Sequence, residues 1–542
     1  MKTNCKNIEF TSTRNAKLKI PFWQSVVEGL AKDGGLLVPI CFPKISSKVF
    51  SNKNWWAKSK PADFAFLILR LFTPASEISN KDLKDDILNA LDFKMPLEKL
   101  KDNNFVLRID RGPTASFKDV AARIFGKLMN RYAEIYNKKI NIVVATSGDT
   151  GVAIADAFGE SKNITVTVLY PAFGVSSIQK KQMVEAHRKY KNEQVIPIKG
   201  NFDNCQDIAK LLLMARGISK LNKKAKKDFI KDAKIKLKIL LNNKNIDNVL
   251  DIVSSLNLSS ANSINIWRLI PQITQYFVSY GALVRNREIK VGERVVFSIP
   301  TGNAGHLMAG IYAKEIGLPI DKFILGTNTN NILANIVGDG VIRHRPFTSS
   351  SAPSMDILDP SNLERLLHFA FLKTGEKKKI DFNRMKADIK NISSLKSIPL
   401  LKYGVSEKML EFLREFIWAE DVETDEEIYA MMQYVYEKEK TVFEPHGITG
   451  YIAAQRARTK RIVDRKQKIV IFETAHPDKF PNALQYSGLE KSKYIKHFAL
   501  SKLSKIDLVK MGVPKAEKIG LFNVVKMIKR LGDTIKRQKV IL

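Results

Sequence analysis

The segment Arg111-Gly112-Pro113-Thr114-Ala115-Ser116-Phe117-Lys118-Asp119 carries the residue best suited to covalent chemistry, Lys118. A Gly-Pro-Thr turn precedes Phe117, Val120, Ile124 and Leu128, whose spacing predicts a helix with Lys118 in its first turn. The positive end of a helix dipole is an unfavourable place for an ammonium group. A desolvated lysine there would shed its proton more easily, which suits Schiff-base chemistry with a carbonyl cofactor. Taken alone, the segment reads better as carrying an ordinary surface lysine, one among 89 Lys and Arg.

Two further loops bear on that choice. Thr301-Gly302-Asn303-Ala304-Gly305 lies between an apolar run and a helical pattern. Its glycines let backbone approach a ligand, and first-turn N–H groups with the helix dipole favour a phosphate. Thr146-Ser147-Gly148-Asp149-Thr150-Gly151 is a second such turn, able to offer hydroxyls and N–H groups to a carboxylate. Each is also readable as a plain tight connection. A lysine, a phosphate cradle and a second anion cradle in one crevice would suit pyridoxal phosphate holding an amino acid.

The elements that must position these loops follow a regular rhythm. Asn141–Ala145, Thr165–Leu169, Val195–Ile198, Arg294–Ile299 and Lys468–Phe472 are short apolar runs that read as buried strands. Helical patterns such as Val152–Phe158, Cys205–Ala215 and Leu307–Ile316 alternate with them. The expected class is α/β, with doubly wound parallel sheets covered by helices on both faces. In such folds the loops after the strands gather at one crevice. We expect an N-terminal domain over 1–100, a catalytic α/β region over 101–500, and a basic helical extension over 501–542. Within the catalytic region, 216–257 reads as a Lys-rich helical insertion and 362–440 as a largely helical segment. Thr424-x-x-Glu427 is a capping box for the latter.

The 542 residues, with 44% apolar and 27% charged content, describe a globular chain of two or more domains. Met1–Phe10 lacks the apolar core of a secretory signal. Cys5, Cys41 and Cys205 are scattered and suggest neither a disulfide framework nor a zinc site, so a reduced, cytoplasmic protein is expected. No metal is expected at His306, His446 or His476, which have no carboxylate or cysteine at ligand spacing. His446 and His476 read as packing or hydrogen-bonding residues, and His306 as structural. The net charge of +34 would attract polyanions. Lysine is spread along the chain, with local concentrations at 216–238 and 502–539, and compositional drift accounts for it better than nucleic-acid binding. Neither a specific nucleic acid nor a membrane partner is expected, only a small-molecule substrate and a monomer or homodimer.

The ordered set of motifs resembles the threonine synthases, of the pyridoxal-phosphate fold type II shared with the tryptophan synthase β subunit. It comprises Ser12-Thr13-Arg14, Gly29-Leu30-Ala31-x-Asp33-Gly34-Gly35-Leu36, Gly112-Pro113-Thr114-x-x-Phe117-Lys118-Asp119 and Ala145–Gly151. Gly200-x-Phe202-Asp203, Asn262-Ser263-Ile264-Asn265, Pro300–Gly305, Pro353-Ser354-Met355-Asp356, Pro445-His446 and Thr474-Ala475-His476-Pro477 continue it. The resemblance implies two open sheets, a small N-terminal domain and pyridoxal 5'-phosphate as cofactor. Lys118 would be the Schiff-base lysine, and Thr301, Gly302, Asn303, Ala304 and Gly305 the cofactor's phosphate loop. Thr474 would stand beside the ring nitrogen, where a neutral hydroxyl implies an unprotonated ring. Thr146, Ser147, Gly148, Asp149 and Thr150 would hold the substrate's amino-acid end, and Arg268 its phosphate. The implied reaction is a β,γ-replacement, a carbon–oxygen lyase step that turns O-phospho-L-homoserine and water into L-threonine and phosphate.

Departures from the family pattern lie near these residues. Arg108 stands where Glu is usual, Asp110-Arg111 where Phe-His is usual, and Ala304 where Phe is usual. His306 replaces an acidic or amide residue, Trp267 is displaced by one position, and Gly447-Ile448 replaces Thr-Ala. They leave open a related lyase that eliminates phosphate from a phosphorylated hydroxy amino acid to give a keto acid and ammonia. A catalytically inactive basic binding protein is the third reading.

Overall fold

The computed structural model describes residues 8–172, 174–215, 252–253, 256–343, 346–391, 397–490, 492, 494, 496–504, 524–530 and 533. The expected Lys-rich insertion therefore lies almost wholly outside the described residues, as does most of the basic C-terminal extension. The chain forms two compact units, Met1–Glu9 with Pro39–Val120 and Leu269–Leu500, and Phe10–Val38 with Ala121–Arg268 and Ser501–Leu542.

The first unit is built on a six-stranded sheet in the order Ile417–Asp421, Ile320–Thr327, Val295–Pro300, Ile469–Glu473, Asn104–Arg108, Leu97–Lys99. All neighbours are parallel except Leu97–Lys99, which runs antiparallel along the edge. Side chains alternate across its strands, as a pleat requires. Val106, Val296, Ile324 and Ile471 meet a core that includes Ile448 and Ile452 of helix Pro445–Thr459 and Ile428, Met432 and Val435 of helix Asp425–Glu439. Their neighbours Phe297, Phe323 and Phe472 cluster around Tyr276 of helix Ile273–Arg285, with ring centroids 4.9, 6.3 and 5.0 Å away. The helix Pro61–Phe72 packs Phe64 where Gly281 leaves no room for a side chain.

The second unit contains a four-stranded, wholly parallel sheet in the order Glu193–Ile198, Ile164–Pro171, Ile140–Ala145, Leu258–Ser260. Helices Asp149–Phe158, Ser177–Lys189 and Phe202–Ala215 accompany it. Asn265 donates to Val26 O at 3.1 Å and Trp267 Nε1 to Ser25 Oγ at 2.9 Å, which ties the chain after the last strand to the N-terminal helix Phe22–Val27. Near the N-terminus, Asp33 accepts from Ser12 Oγ and Gly35 N, at 2.8 and 2.9 Å, and so organises the Asp-Gly-Gly turn.

The expected class holds: α/β, with parallel sheets and helices packed on them. Cys205 is a buried free thiol, and Cys5 lies outside the described residues.

The closest backbone approach in the first sheet is at Gly326, where a Cβ would lie 2.5 Å from Thr449 O and 2.8 Å from Gly450 N. Relief there needs backbone movement of helix Pro445–Thr459, so Gly326→Ala should cost about 1–3 kcal/mol or more in urea unfolding. Gly338, exposed in helix Ile332–Asp339 with nothing within 4 Å of its added Cβ, is the control. Gly338→Ala should gain roughly 0.5–1 kcal/mol.

Candidate active site

Lys118 is the first residue of the helix Lys118–Ile135, as its sequence position predicts. The turn before it is fixed by Asp119, which is buried. Its carboxylate accepts from Thr114 N at 2.9 Å and from the Thr114 hydroxyl. Gly112 must be glycine because an added Cβ would lie 2.3 Å from Asp119 Oδ2. On the other side, Gln275 donates to Phe117 O at 2.8 Å. These contacts hold Lys118 half-buried, with Nζ 4.4 Å from the centroid of the Phe117 ring.

The predicted phosphate loop follows strand Val295–Pro300 and opens helix Gly305–Ile316. Gly302 faces backbone: its Cβ would sit 2.9 Å from Met355 Cα. Ala304 adopts a left-handed conformation, φ 56°. Such a residue carries a steric cost that glycine would not. Asn303 is held from both ends of the residue: its Oδ1 accepts from Ser361 Oγ at 2.9 Å, and its backbone O accepts from Asn362 N at 3.2 Å. Thr301 N donates to Gly326 O, which pins the loop to the neighbouring strand. The result is a shaped backbone at a helix N-terminus with no room for a side chain at Gly302, which fits a phosphate.

His306 links this loop to Lys118. Its ring lies 5.3 Å from Phe117, 5.0 Å from Tyr276 and 4.5 Å from Phe472, and neither ring nitrogen has a hydrogen-bond partner among the described residues. Burial first, and then the charge of Lys118, push its pKa down to about 3, so the imidazole is neutral. The expectation that His306 is structural now has a physical content: it fills an aromatic pocket between the loop and the lysine.

Thr474 arrives from the next strand. Phe117 N donates to Thr474 O at 2.8 Å and His476 N to Ala115 O at 3.1 Å, so the Thr474 turn runs against the Lys118 turn. Its hydroxyl donates to Glu444 Oε1 at 2.9 Å. Glu444 is the N-cap of helix Pro445–Thr459 and also accepts from His446 N and Gly447 N. His446 Nδ1 lies 2.5 Å from Glu444 Oε2, and its Nε2 accepts from Ser354 N at 3.0 Å. Lys118, the loop and Thr474 are thus brought together within the first unit.

Behind Thr474 sits a buried charge cluster. Arg108 donates Nε and Nη2 to the two Asp110 oxygens at 3.1 and 2.8 Å, and Nη1 to Val442 O. Burial works against both charges, but each holds the other: the guanidinium sits above its ordinary range and the carboxylate below its own. Glu473 is buried beside them, and burial, reinforced by Glu444, pushes its carboxyl well up despite Arg108. These acids and Arg108 carry no recognisable motif. The Glu444-Pro445 order, an acid before proline at the first helical position, is the signal that could have singled out the cap.

In the second unit, Thr146 Oγ1 accepts from Gly148 N and Gly151 N, both at 2.9 Å, and folds the Thr146–Thr150 loop onto itself. Asp149 is buried and accepts from Gln179 Nε2 at 2.8 Å, while Ser147 and Thr150 remain partly exposed. Asn262 clasps both the N–H and the C=O of Ala145 just before this loop. Arg268 is buried on the 3₁₀ turn Ile266–Arg268 and donates Nη1 to Ala261 O at 2.5 Å. Among the described residues no cluster of His, Cys, Asp and Glu could hold a metal ion.

Residues 9–91 match the family model described as threonine synthase N terminus. The chain is 31% identical over 530 residues to threonine synthase of Saccharomyces cerevisiae, covering 92% of this chain and 93% of that one. The chain belongs to the threonine synthase family. Among solved structures, PLP-bound threonine synthase from Brucella melitensis superposes with a TM-score of 0.75 at 27% identity, covering 97% of this chain and all of that one. Human threonine synthase-like 1 is 30% identical, covering 85% of this chain and 57% of its own length.

Two expectations follow from the site. The unfolded state binds a proton at His306 below about pH 6.5, and the folded state only near pH 3. Stability should therefore fall as pH drops between those values, by at most about 1.4 kcal/mol per pH unit from this group. His306→Phe should flatten that acid limb in denaturant titrations. At Gly447, an added Cβ would lie 1.8 Å from Glu473 Oε2. Gly447→Ala should destabilise the chain, and combination with Glu473→Ala should cost at least about 1 kcal/mol less than the two single changes summed.

Proposed function

We propose that this chain is an enzyme converting O-phospho-L-homoserine and water to L-threonine and phosphate with pyridoxal 5'-phosphate, the activity for which its family is named. The observation that supports it best is the convergence of Lys118, the Thr301–Gly305 loop and Thr474 in one unit. A reactive amine, an anion-shaped backbone and a hydroxyl are what this cofactor needs at its three ends. The cofactor's aldehyde would be held by Lys118 Nζ, its phosphate by the Gly302–Gly305 backbone and its ring nitrogen by Thr474. When bound, it supplies the electron sink for cleaving bonds at the substrate's α and β carbons.

The chain's own residues do the rest. Lys118 Nζ, released when the substrate binds, moves the proton at the substrate's Cα. Neutral His306 adds no positive charge beside an amine that has to work deprotonated. We assign Ser147, Thr150 and the N–H groups of the Thr146–Thr150 loop to the substrate's carboxylate, with Thr146 and Asp149 shaping that loop. Arg268 is assigned to the substrate phosphate, for which a guanidinium fork is well suited. Arg108 and Asp110, the departures that suggested a different substrate, are committed to each other and leave the main reading stronger. Among the described residues no helix is long and apolar enough to cross a membrane, and a small-molecule substrate suits the site.

Incubating the cofactor-reconstituted protein with O-phosphohomoserine should release phosphate and threonine in equal amounts. Lys118→Ala should lose roughly 10³-fold or more of that rate. Phosphate with a keto acid and ammonia would favour the related lyase instead. Failure to bind pyridoxal phosphate at all would overturn both.

A further inference from the structure

The buried imidazole of His446 lies between the two ends of the candidate site. At one end, Glu444 Oε1 is 2.9 Å from Thr474 Oγ1, and Glu444 Oε2 is 2.5 Å from His446 Nδ1. Across the ring, His446 Nε2 accepts from Ser354 N at 3.0 Å. A ring that accepts there carries its hydrogen on Nδ1 alone. At the other end, the backbone of Ser354 and Met355 is packed on Gly302. A Cβ at Gly302 would lie 2.9 Å from Met355 Cα and 3.3 Å from Ser354 O. One chain of contacts thus runs from Thr474 to the backbone behind the Thr301–Gly305 loop.

The segment that His446 reaches is also fixed from its other side. Asp356 is buried, and its Oδ1 accepts from Asn328 Nδ2 at 2.7 Å, Asn330 Nδ2 at 3.0 Å and Ser350 Oγ at 2.6 Å. Its Oδ2 accepts from Ser350 N at 3.0 Å. Asn328 and Asn330 follow strand Ile320–Thr327, the neighbour of the strand that leads into the loop. Pro353–Met355 is therefore held at both ends, by His446 and by Asp356.

We propose that His446 and Asp356 are positioning residues for the cofactor's phosphate: they press the Ser354–Met355 backbone against Gly302 and tie the loop to the Thr474 end. This rests on the reading that the Thr301–Gly305 loop takes that phosphate. The close approach at Gly302 leaves no slack to absorb a displacement of the segment behind it. A group gripped at two ends is held tightly only where the two grips are preorganised at a fixed separation. The imidazole supplies that separation as a rigid spacer bonded at both nitrogens.

The test loads the whole protein with pyridoxal phosphate and reads the rate of cofactor release and the ³¹P resonance of the bound phosphate. His446→Phe keeps the ring packing on Phe480 but leaves Ser354 N without an acceptor. It should speed release about tenfold, the scale of one buried hydrogen bond left unmade, and shift the ³¹P resonance. His446→Gln can still accept from Ser354 N and should restore most of the retention. Asp356→Asn should act like His446→Phe, and the double variant by less than the product of the two, because both act on one segment. Unchanged release and ³¹P resonance in folded His446→Phe overturn the proposal. So do a His446→Gln protein as leaky as His446→Phe and single effects that multiply in full. The unmodified protein decides even if the variants fold poorly: ¹⁵N-histidine NMR should place the His446 hydrogen on Nδ1, and a hydrogen on Nε2 overturns the proposal. An unmodified protein that binds no pyridoxal phosphate overturns the cofactor reading and this inference with it, an outcome distinguishable from a cofactor that binds and is released at the same rate in every variant.

Discussion

The site depends on the parallel pairing of Asn104–Arg108 with Ile469–Glu473. Their register sets Asn104 opposite Ile469 and Arg108 opposite Glu473, so both strands end at the same level. The chain then leaves each strand into a functional turn. Because the ends are level, the two turns continue to touch through the Ser116–Ala475 bridge and the Phe117–Thr474 hydrogen bond. Lys118 and Thr474 are separated by most of the chain, yet the relative position of their turns is set by a few backbone hydrogen bonds. A slip of one residue would turn every side chain of one strand to the opposite face and separate the two turns. The apolar alternation of Phe472 and Ile471 against two different helical layers makes that slip costly.

The same register creates a problem that the sequence has solved locally. Level strand ends place Arg108 beside Glu473 in a dry interior, where a lone charge would be expensive. The guanidinium is satisfied mainly by Asp110, two residues along its own chain, with a bidentate geometry that suits burial. Glu473, whose carboxyl burial pushes well up, keeps one oxygen on Glu444 N. Its other oxygen occupies the space where residue 447 would carry a side chain, so the glycine that departs from the family's usual Thr-Ala has a steric reason. Departures scattered in sequence, at 108, 110 and 447, are thereby parts of a single buried arrangement.

The legible and illegible parts of the site divide along physical lines. Strand, turn and helix order was legible because buried parallel strands are continuous apolar runs and their loops carry glycine, threonine and asparagine for backbone reasons. Lys118 at the first position of its helix follows from the Gly-Pro-Thr turn alone. The partner of the Thr474 hydroxyl was not legible, since it is Glu444, 30 residues earlier on a different element. The neutrality of His306 was equally hidden, because it comes from an aromatic pocket assembled by Phe117, Tyr276 and Phe472.

The two loops proposed to take anions differ in how they are built, and that difference bears on the proposed roles. The Thr301–Gly305 loop is held by other parts of the first unit, at Gly326, Ser361 and Asn362, and is crowded by Met355 at Gly302. Such a loop is preorganised for one rigid group that stays in place, as a resident cofactor's phosphate does. The Thr146–Thr150 loop is folded mainly on itself, through Thr146 Oγ1, with Asn262 clasping its first strand residue and Gln179 its Asp149. It spends its buried side chains on its own shape and keeps Ser147 and Thr150 partly exposed. A self-contained turn of that kind can receive and release a ligand without unmaking the sheet beneath it, which suits the substrate role proposed for it.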